Sequence, residues 1–192
     1  MNPRPDRSLI LASKSPRRSF LLTEAGIPFT LRTADVEEVY PPETPAREVA
    51  PYLARLKADG SRHLLQQDNE ILLTADSVVI LDDEIFGKPR DRAHALAMLG
   101  RLSGRRHTVV TGCCLRDARK ERVFSGVAEV HLRPLTSAEI ENYVDTYRPF
   151  DKAGAYAIQE WIGLTKIHRI EGTYPTIMGL PVDQVYHELL DF

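Results

Sequence analysis

Short continuous runs of apolar residues predict the buried strands of this protein. One run covers Leu9–Ala12, and a longer one covers Ile71–Leu81 and is followed by the turn residues Asp82 and Asp83. Two further strands, at 107–115 and 122–132, are separated by a polar turn, which predicts that they pair with each other. Alternation at 29–33 and an apolar stretch near 166–170 predict two more strands.

Capping residues predict where the helices begin. Ser15 followed by Pro16 predicts the start of one helix, because serine is a favoured N-cap and proline suits the first helical position. Asp91 predicts the start of a second helix. Thr136 with Glu139 has the capping-box pattern that marks a third.

Another helix is predicted after Thr44, since Leu53 and Leu56 belong to a set of apolar residues near helical spacing. Proline disrupts a helix interior but is tolerated in the first turn. We therefore expect Pro51 to mark the true first turn of this helix. A terminal helix is expected after Pro181.

Strands and helices interleave along the whole chain, with one meander in the middle. This order favours an α/β fold with a mixed β-sheet and flanking helices. The chain has 192 residues and a mass of 21.7 kDa. That length predicts a single domain over residues 1–192, or two small lobes that share one cleft.

Composition and charge exclude several classes of protein. Lys and Arg total 25 and Asp and Glu total 27, so we expect no role in coating nucleic acid or an anionic membrane. No apolar run approaches the roughly 20 residues of a membrane span. The N-terminal residues lack the apolar segment of a signal peptide, which predicts a cytoplasmic protein.

Histidines and cysteines give no sign of a metal site or a disulfide. The six histidines show no paired spacing typical of metal ligands. Cys113 and Cys114 are adjacent, and neighbours on a strand point to opposite faces. We therefore expect two buried, structural thiols.

The segment Ser13–Arg18 lies at a predicted strand-to-helix turn. A helix N-terminus exposes free N–H groups and the positive end of the helix dipole, which suits a phosphate. Arg17 and Arg18 in the first turn oppose that dipole unless an anion compensates them, and arginine matches phosphate oxygens well. The alternative is a capped helix with solvated arginines.

Asp76 and Ser77 interrupt the most apolar strand of the chain. A buried carboxylate without a partner costs several kcal/mol, so Asp76 needs a cation, a metal ion or hydrogen-bond donors nearby. A carboxylate facing a cleft is also the expected metal ligand or water activator in phosphate chemistry. The alternative is a structural aspartate that caps a neighbouring turn.

Three isolated polar residues have both a functional and a structural interpretation. Lys88, between a glycine and a proline, either reaches an anion or is a surface turn residue. Lys57 either contributes a charge or packs its long stem along the core. Gln159 offers a donor and an acceptor that complement the imide of uracil or thymine, or it simply bonds to backbone.

Several segments together resemble the Maf family of nucleoside triphosphate pyrophosphatases, over nearly the whole chain from Leu9 to Leu190. The matching segments, in family order, are Leu11–Arg18, Val36–Glu38, Leu53–Ala58, Thr74–Val79, Gly87–Pro89, Leu102–His107, Asp151–Gln159 and Met178–Val182. The Ser-Pro-Arg-Arg segment and the Asp-Lys-Ala-Gly-Ala-Tyr segment are similar to the dTTP/UTP branch of the family.

The resemblance implies an elongated α/β fold shared with inosine triphosphate pyrophosphatases, with a central cleft between two lobes. It also implies a divalent cation, Mg²⁺ or Mn²⁺, a cytoplasmic location and a homodimer. A nucleoside triphosphate is the expected partner, with neither nucleic acid nor membrane.

The resemblance also assigns roles to residues at matching positions. Asp76 matches the proton acceptor, and the polar residues needed for activity match Glu37, Lys57 and Lys88. We expect the metal at Glu37 and Asp76. The substrate is expected to contact Ser13, Ser15, Arg17, Arg18, Ser77 and Gln159.

Departures from the family pattern cluster near the base-selecting residues. Ser77 stands where the family commonly has threonine, and Ala157 and Glu160 replace the usual glycines around Gln159. These departures bear more on which base is chosen than on the reaction.

The sequence therefore predicts hydrolysis of dTTP and UTP, and of modified pyrimidine nucleotides, between the α and β phosphates. Removal of non-standard nucleotides is the expected role. A nucleotide-binding regulator of cell division, without essential catalysis, is the alternative from another class. Inosine or xanthosine triphosphate hydrolysis on the same fold is a second enzymatic alternative, and RNA binding finds little support in the charge balance.

Overall fold

The computed structural model describes residues 3–192 and confirms the mixed α/β fold. Its strands are β1 (Ser8–Leu11), β2 (Thr30–Leu31), β3 (Glu70–Leu81), β4 (Glu84–Phe86), β5 (Arg106–Arg116), β6 (Glu121–Leu132) and β7 (Ile167–Glu171). Its helices are α1 (Pro16–Glu24), α2 (Ala46–Gly60), α3 (Arg92–Leu102), α4 (Ser137–Tyr147), α5 (Trp161–Thr165), α6 (Tyr174–Met178) and α7 (Val182–Asp191). Short 3₁₀ turns cover Arg62–Leu64 and Ala153–Ala155.

The seven strands form one mixed sheet in the order β2-β1-β3-β5-β6-β7, with β4 paired to β3. β1 runs parallel to both β2 and β3, whereas β4 and β7 run antiparallel to their neighbours β3 and β6. The sheet is therefore mixed, as the interleaved pattern predicted. None of the helices described within residues 3–192 is long and apolar enough to cross a membrane.

Contacts along the chain divide it into two compact units. The first unit contains residues up to Asp76, residues 111–126 and residues 179–192, and the second contains residues 77–110 and 127–178. The first unit is thus built from three separate chain segments. One of its buried clusters joins β1, α2, β3 and β5 through Ile10, Ala54, Ala58, Leu72 and Cys114.

Pro51 lies inside α2, so the expectation that it marks the first turn was wrong. The helix begins five residues earlier, at Ala46, with Pro45 at its N-cap. Gly112 of β5 packs directly against this part of α2: a Cβ on Gly112 would lie 2.2 Å from the Pro51 nitrogen. Tertiary packing on the helix face therefore outweighs the hydrogen bond that proline removes.

The second unit has a larger apolar core, in which side chains of β3–β6 pack against α3, α4 and α5. Its buried residues include Leu99, Val130, Tyr143 and Ile162. Within this unit, β3 and β4 form a hairpin through Asp82 and Asp83, which both have positive φ. That conformation is the one a two-residue hairpin turn requires.

Local capping predictions are confirmed at two helices. The Asp91 side chain accepts a hydrogen bond from the His94 N–H at 2.8 Å, and Thr136 and Glu139 form the complete capping box of α4. The cysteines are free and buried, as expected. By contrast, the five-residue helices α5 and α6 were not predicted, because one turn of helix has no measurable periodicity.

Candidate active site

The turn between β1 and α1 has the form of an anion site. Its helix begins at Pro16 with Ser15 at the N-cap, as predicted, but the Ser15 side chain makes no capping hydrogen bond. Instead, the Ser13 hydroxyl accepts the Ser15 N–H at 3.2 Å. The first turn of α1 contains two arginines and no acidic residue, so the positive end of the helix dipole is not neutralised by the helix itself.

Arg18 is fixed in place by two hydrogen bonds. Its Nε donates to the Gly179 carbonyl at 2.8 Å, and its Nη1 donates to the Ser13 hydroxyl at 3.1 Å. Burial lowers the pKa of the Arg18 guanidinium, while the carboxylates of Asp76 and Glu38 counteract that shift. An arginine remains charged at neutral pH even so, and Arg18 therefore provides a fixed positive charge beside Ser13.

Asp76 is 8% exposed and finds its partner in Lys57 of α2. The Lys57 ammonium donates to Asp76 Oδ1 at 2.5 Å and lies 2.8 Å from Glu38 Oε1. A hydrogen bond of 2.6 Å from the buried Thr74 hydroxyl to the Ala54 carbonyl joins the same two elements. Because side chains two apart on a strand share a face, this bond holds β3 and α2 in the register that pairs Asp76 with Lys57.

Glu38, rather than Glu37, is the acidic residue that the structure brings to Lys57. Glu37 is exposed, and its placement as a metal ligand or catalytic group stays a prediction. The preceding Val36 packs against Gly60, where a Cβ would lie 2.7 Å from Val36 Cγ2. This contact draws the extended acidic segment along the end of α2 and places Glu38 against Lys57, which no pattern in the sequence indicated.

Asp76 and Glu38 together fit a divalent cation. Both carboxylates reach the same ammonium group, so their oxygens converge on a single point of positive charge. Carboxylate oxygens are also the ligands that Mg²⁺ and Mn²⁺ prefer. The carboxylate pair that could hold the metal is thus Asp76 with Glu38.

A second group of possible metal ligands lies on β6 and β7 of the second unit. Ligand atoms of Glu129, His131 and Glu171 all lie within 4.8 Å of one another, a grouping that the sequence did not predict. Arg106 bonds to Glu129 at 3.0 Å and Arg169 bonds to Glu171 at 3.2 Å. Glu129 and Glu171 each have an arginine of their own, whereas Asp76 and Glu38 share a single ammonium group, so we interpret the group on β6 and β7 as an ion-pair network.

The other expected substrate-binding residues have different environments. Arg17 of α1 is half-buried in the first unit. Ser77 and Lys88 belong to the second unit, where Ser77 is half-buried and Lys88 is exposed. The Lys88 turn is attached to the 3₁₀ turn at 153–155 through a 3.1 Å hydrogen bond from the Gly154 N–H to the Gly87 carbonyl.

Gln159 presents an unused acceptor. Its Oε1 is buried without a hydrogen-bond partner in the part of the chain that the structure describes. A buried acceptor left unpaired costs about 1–3 kcal/mol. Gln159 Oε1 is therefore a buried acceptor whose partner the described residues do not supply.

Comparison with known proteins identifies the family. The family model for Maf-like proteins matches residues 8–192, nearly the whole chain. The chain belongs to the Maf-like protein family. The resemblance drawn from the sequence motifs is thereby confirmed.

Several curated relatives of this Maf-like chain have the name dTTP/UTP pyrophosphatase. The protein of that name from Porphyromonas gingivalis W83 is 47% identical over 186 residues, covering 96% of this chain and 94% of the relative. The relative from Bacteroides thetaiotaomicron is 44% identical over 182 residues, with 94% of each chain covered. That from Flavobacterium psychrophilum is 42% identical over 183 residues, covering 95% and 93%.

Proposed function

We propose that this Maf-like protein is a nucleoside triphosphate pyrophosphatase that hydrolyses dTTP and UTP to the monophosphate and pyrophosphate. The observation that carries the proposal is the contact of Lys57 with both Asp76 and Glu38, within the unit that also holds the anion turn of Ser13 and Arg18. The names of the relatives support the choice of substrate.

In the proposed reaction, water attacks the α-phosphorus of the nucleotide. The bond from that phosphorus to the oxygen bridging the α and β phosphates breaks, and pyrophosphate leaves. Asp76 orients that water and accepts its proton, because it is the buried carboxylate of the site. Lys57 holds the Asp76 carboxylate in one orientation through its 2.5 Å hydrogen bond. A divalent cation at Asp76 and Glu38 would lower the pKa of bound water and offset phosphate charge.

The positively charged side chains of the site have a separate role, which is to bind the phosphates. Phosphoryl transfer depends mainly on positioning and on electrostatic stabilisation of the phosphate oxygens. Arg18 is already fixed by Ser13 and Gly179, so it needs little reorganisation to bind an anion. We assign Arg17 and Lys88 to the same neutralisation of charge on the triphosphate and the departing pyrophosphate.

The proposed preference for pyrimidines depends on Gln159. Uracil and thymine present an N3–H donor next to the O4 acceptor, which complements a primary amide. The unpaired Oε1 of Gln159 is an acceptor suited to that N3–H. We assign Ser77 a supporting contact with the nucleotide, and on the family resemblance we further propose a cytoplasmic homodimer.

Asp76→Asn tests the proposal, with Asp145→Asn as the matched control. Asp145 is an exposed carboxylate of α4, in an ion pair with Arg92 at 2.7 Å. We expect Asp76→Asn to lower kcat for UTP and dTTP by about 10²–10⁴-fold, the usual contribution of a general base. The control keeps normal rates, and both variants keep the wild-type circular dichroism spectrum.

Pyrophosphate release is measured with Mg²⁺ or Mn²⁺ against the common nucleoside triphosphates. Near-normal turnover by Asp76→Asn would remove the role assigned to Asp76. Pyrophosphate release from purine triphosphates in place of UTP and dTTP would support the proposed reaction but refute the proposed choice of nucleotide. A folded wild-type protein that hydrolyses none of them would be the nucleotide-binding regulator instead.

A further inference from the structure

Lys57 contacts both of the carboxylates that fit a divalent cation. Its ammonium lies 2.5 Å from Asp76 Oδ1 and 2.8 Å from Glu38 Oε1. The side chains of Lys57 and Asp76 are only 17% and 11% exposed, so solvent ions screen this contact poorly. The lysine therefore already supplies a positive charge to the carboxylates that the metal would need.

Arg18 adds a second positive charge close to the same carboxylates. Asp76 and Glu38 both raise the pKa of its guanidinium against the effect of burial, whereas the charge of the neighbouring Arg17 lowers it. Two carboxylates thus face two cations of the chain, Lys57 and Arg18. Their charges balance before any ligand binds.

This balance disfavours a divalent cation in the protein without nucleotide. At a separation of about 4 Å, a divalent and a monovalent positive charge repel each other appreciably even in bulk water. A metal ion held by Asp76 and Glu38 would also share the carboxylates that Lys57 contacts. The affinity of the pair for a free metal ion is therefore lower than two carboxylates alone would give.

A bound triphosphate reverses the charge balance of the site. Ser13 and Arg18 of the anion turn belong to the same compact unit as Asp76, and a triphosphate brings several negative charges to that unit. Its oxygens are also suitable ligands for Mg²⁺ and Mn²⁺. Once the phosphates are bound, negative charge exceeds positive charge, and a divalent cation gains oxygen ligands beyond those of the protein.

We propose that Lys57 is an internal counterion of Asp76 and Glu38 that keeps out free divalent cations, so that the protein takes up its metal only together with the triphosphate. This inference rests on the proposed function, because it concerns how the same site acquires its metal ion. It assigns the choice between free and nucleotide-bound metal to one side chain. Asp76 thus stays bonded to Lys57 while no nucleotide is present.

Variants of Lys57 separate its charge from its packing. Lys57→Gln and Lys57→Met remove the charge, with a polar and an apolar side chain respectively, and Lys57→Arg keeps it. The matched control is Lys166→Gln, since Lys166 pairs with Glu139 at 2.6 Å in the second unit and its side chain is 16% exposed. The double variant Lys57→Gln with Glu38→Gln removes one carboxylate of the pair as well.

The first readout is the affinity for Mn²⁺ alone, without nucleotide, from the electron paramagnetic resonance signal of unbound Mn²⁺. We expect weak binding by the wild-type protein, Lys57→Arg and the control. Lys57→Gln and Lys57→Met should bind Mn²⁺ about 10–30-fold more tightly, because a positive charge about 4 Å from the metal is gone. The double variant should lose this gain. Equal affinities of wild type and the two neutral variants would overturn the proposal.

The second readout is calorimetric binding of a UTP analogue with a methylene group between the α and β phosphates, at saturating Mn²⁺. The proposed reaction does not cleave this bridge. Lys57→Gln should bind the analogue several-fold more weakly than wild type, because the site has lost a positive charge that attracts the anion. The substitution should thus have opposite effects on the two ligands. Weaker binding of both would mean a merely structural lysine and would overturn the proposal.

Failure of the proposed function gives a different result. A wild-type protein that hydrolyses UTP but binds Mn²⁺ alone as tightly as Lys57→Gln overturns this inference and leaves the reaction in place. If the folded wild-type protein hydrolyses no nucleotide, the proposed function fails. The Mn²⁺ affinities of the wild-type protein and Lys57→Gln still decide the role of Lys57 in that case.

Discussion

His107 makes the stability of this protein depend on pH in a way that one substitution can isolate. The side chain is 2% exposed, and its Nδ1 is buried without a hydrogen-bond partner among residues 3–192. Its Nε2 is bonded to the Tyr156 hydroxyl at 2.7 Å. Burial, with a smaller contribution from His131, lowers the pKa of His107 from its ordinary 6.5 to about 4.

The size of the effect follows from this difference between folded and unfolded states. Between pH 6.5 and pH 4, His107 binds a proton in the unfolded chain but stays neutral in the folded protein. The unfolding free energy therefore falls as the pH is lowered toward 4. From the two pKa values, the loss of unfolding free energy relative to pH 8 is about 0.8 kcal/mol at pH 6, about 2 kcal/mol at pH 5 and about 3 kcal/mol at pH 4.

Urea unfolding of the wild-type protein and of His107→Gln, at pH 5 to 8, checks this prediction. The fluorescence of the single tryptophan, Trp161, reports on unfolding because it packs against the core of the second unit. Carboxylates titrate alike in both proteins, so their effect cancels in the difference of unfolding free energies. We expect that difference to shrink by about 2 kcal/mol between pH 8 and pH 5. A difference that stays constant would show that His107 titrates normally and would refute the reasoning.

Two further predictions concern the backbone. Gly112→Ala places a Cβ 2.2 Å from the Pro51 nitrogen and should lower the unfolding free energy by about 1–3 kcal/mol. The control is Gly100→Ala on α3, where a Cβ meets open space. This control should raise the unfolding free energy by about 0.5–1 kcal/mol. Asp83→Gly replaces a residue with φ of 62° and should stabilise the hairpin turn by up to about 1 kcal/mol. Urea denaturation measures all three changes, and a stable Gly112→Ala or a destabilised Asp83→Gly would contradict the packing or the turn described above.

Features that depend on neighbouring residues were predictable from the sequence. The cap at Asp91 and the capping box at Thr136 are local hydrogen bonds, so their residue types are sufficient to place α3 and α4. The need of Asp76 for a charged or hydrogen-bonding partner was also predictable, because an unpaired carboxylate within an apolar strand is costly. Lys57 proved to be that partner, although its position in the sequence allowed a structural role equally well.

Features that depend on distant contacts were not predictable. The contact of Lys57 with Glu38, and not with Glu37, depends on the packing of Val36 against Gly60, and adjacent acidic residues carry no signal that separates them. The interior position of Pro51 depends in the same way on Gly112 of β5. Glu160 was noticed only as a departure from a family pattern, and its bond to Tyr143 required the fold.

The bond from Arg18 to the Gly179 carbonyl has a consequence for synthesis of the chain. It joins residues 161 positions apart, so Arg18 acquires this partner only after the intervening residues 19–178 have been made. Closing so long a loop before other contacts form is entropically unfavourable and slows folding. A growing chain therefore cannot hold Arg18 in its final place. We expect the anion turn to be complete only after Gly179 has been translated.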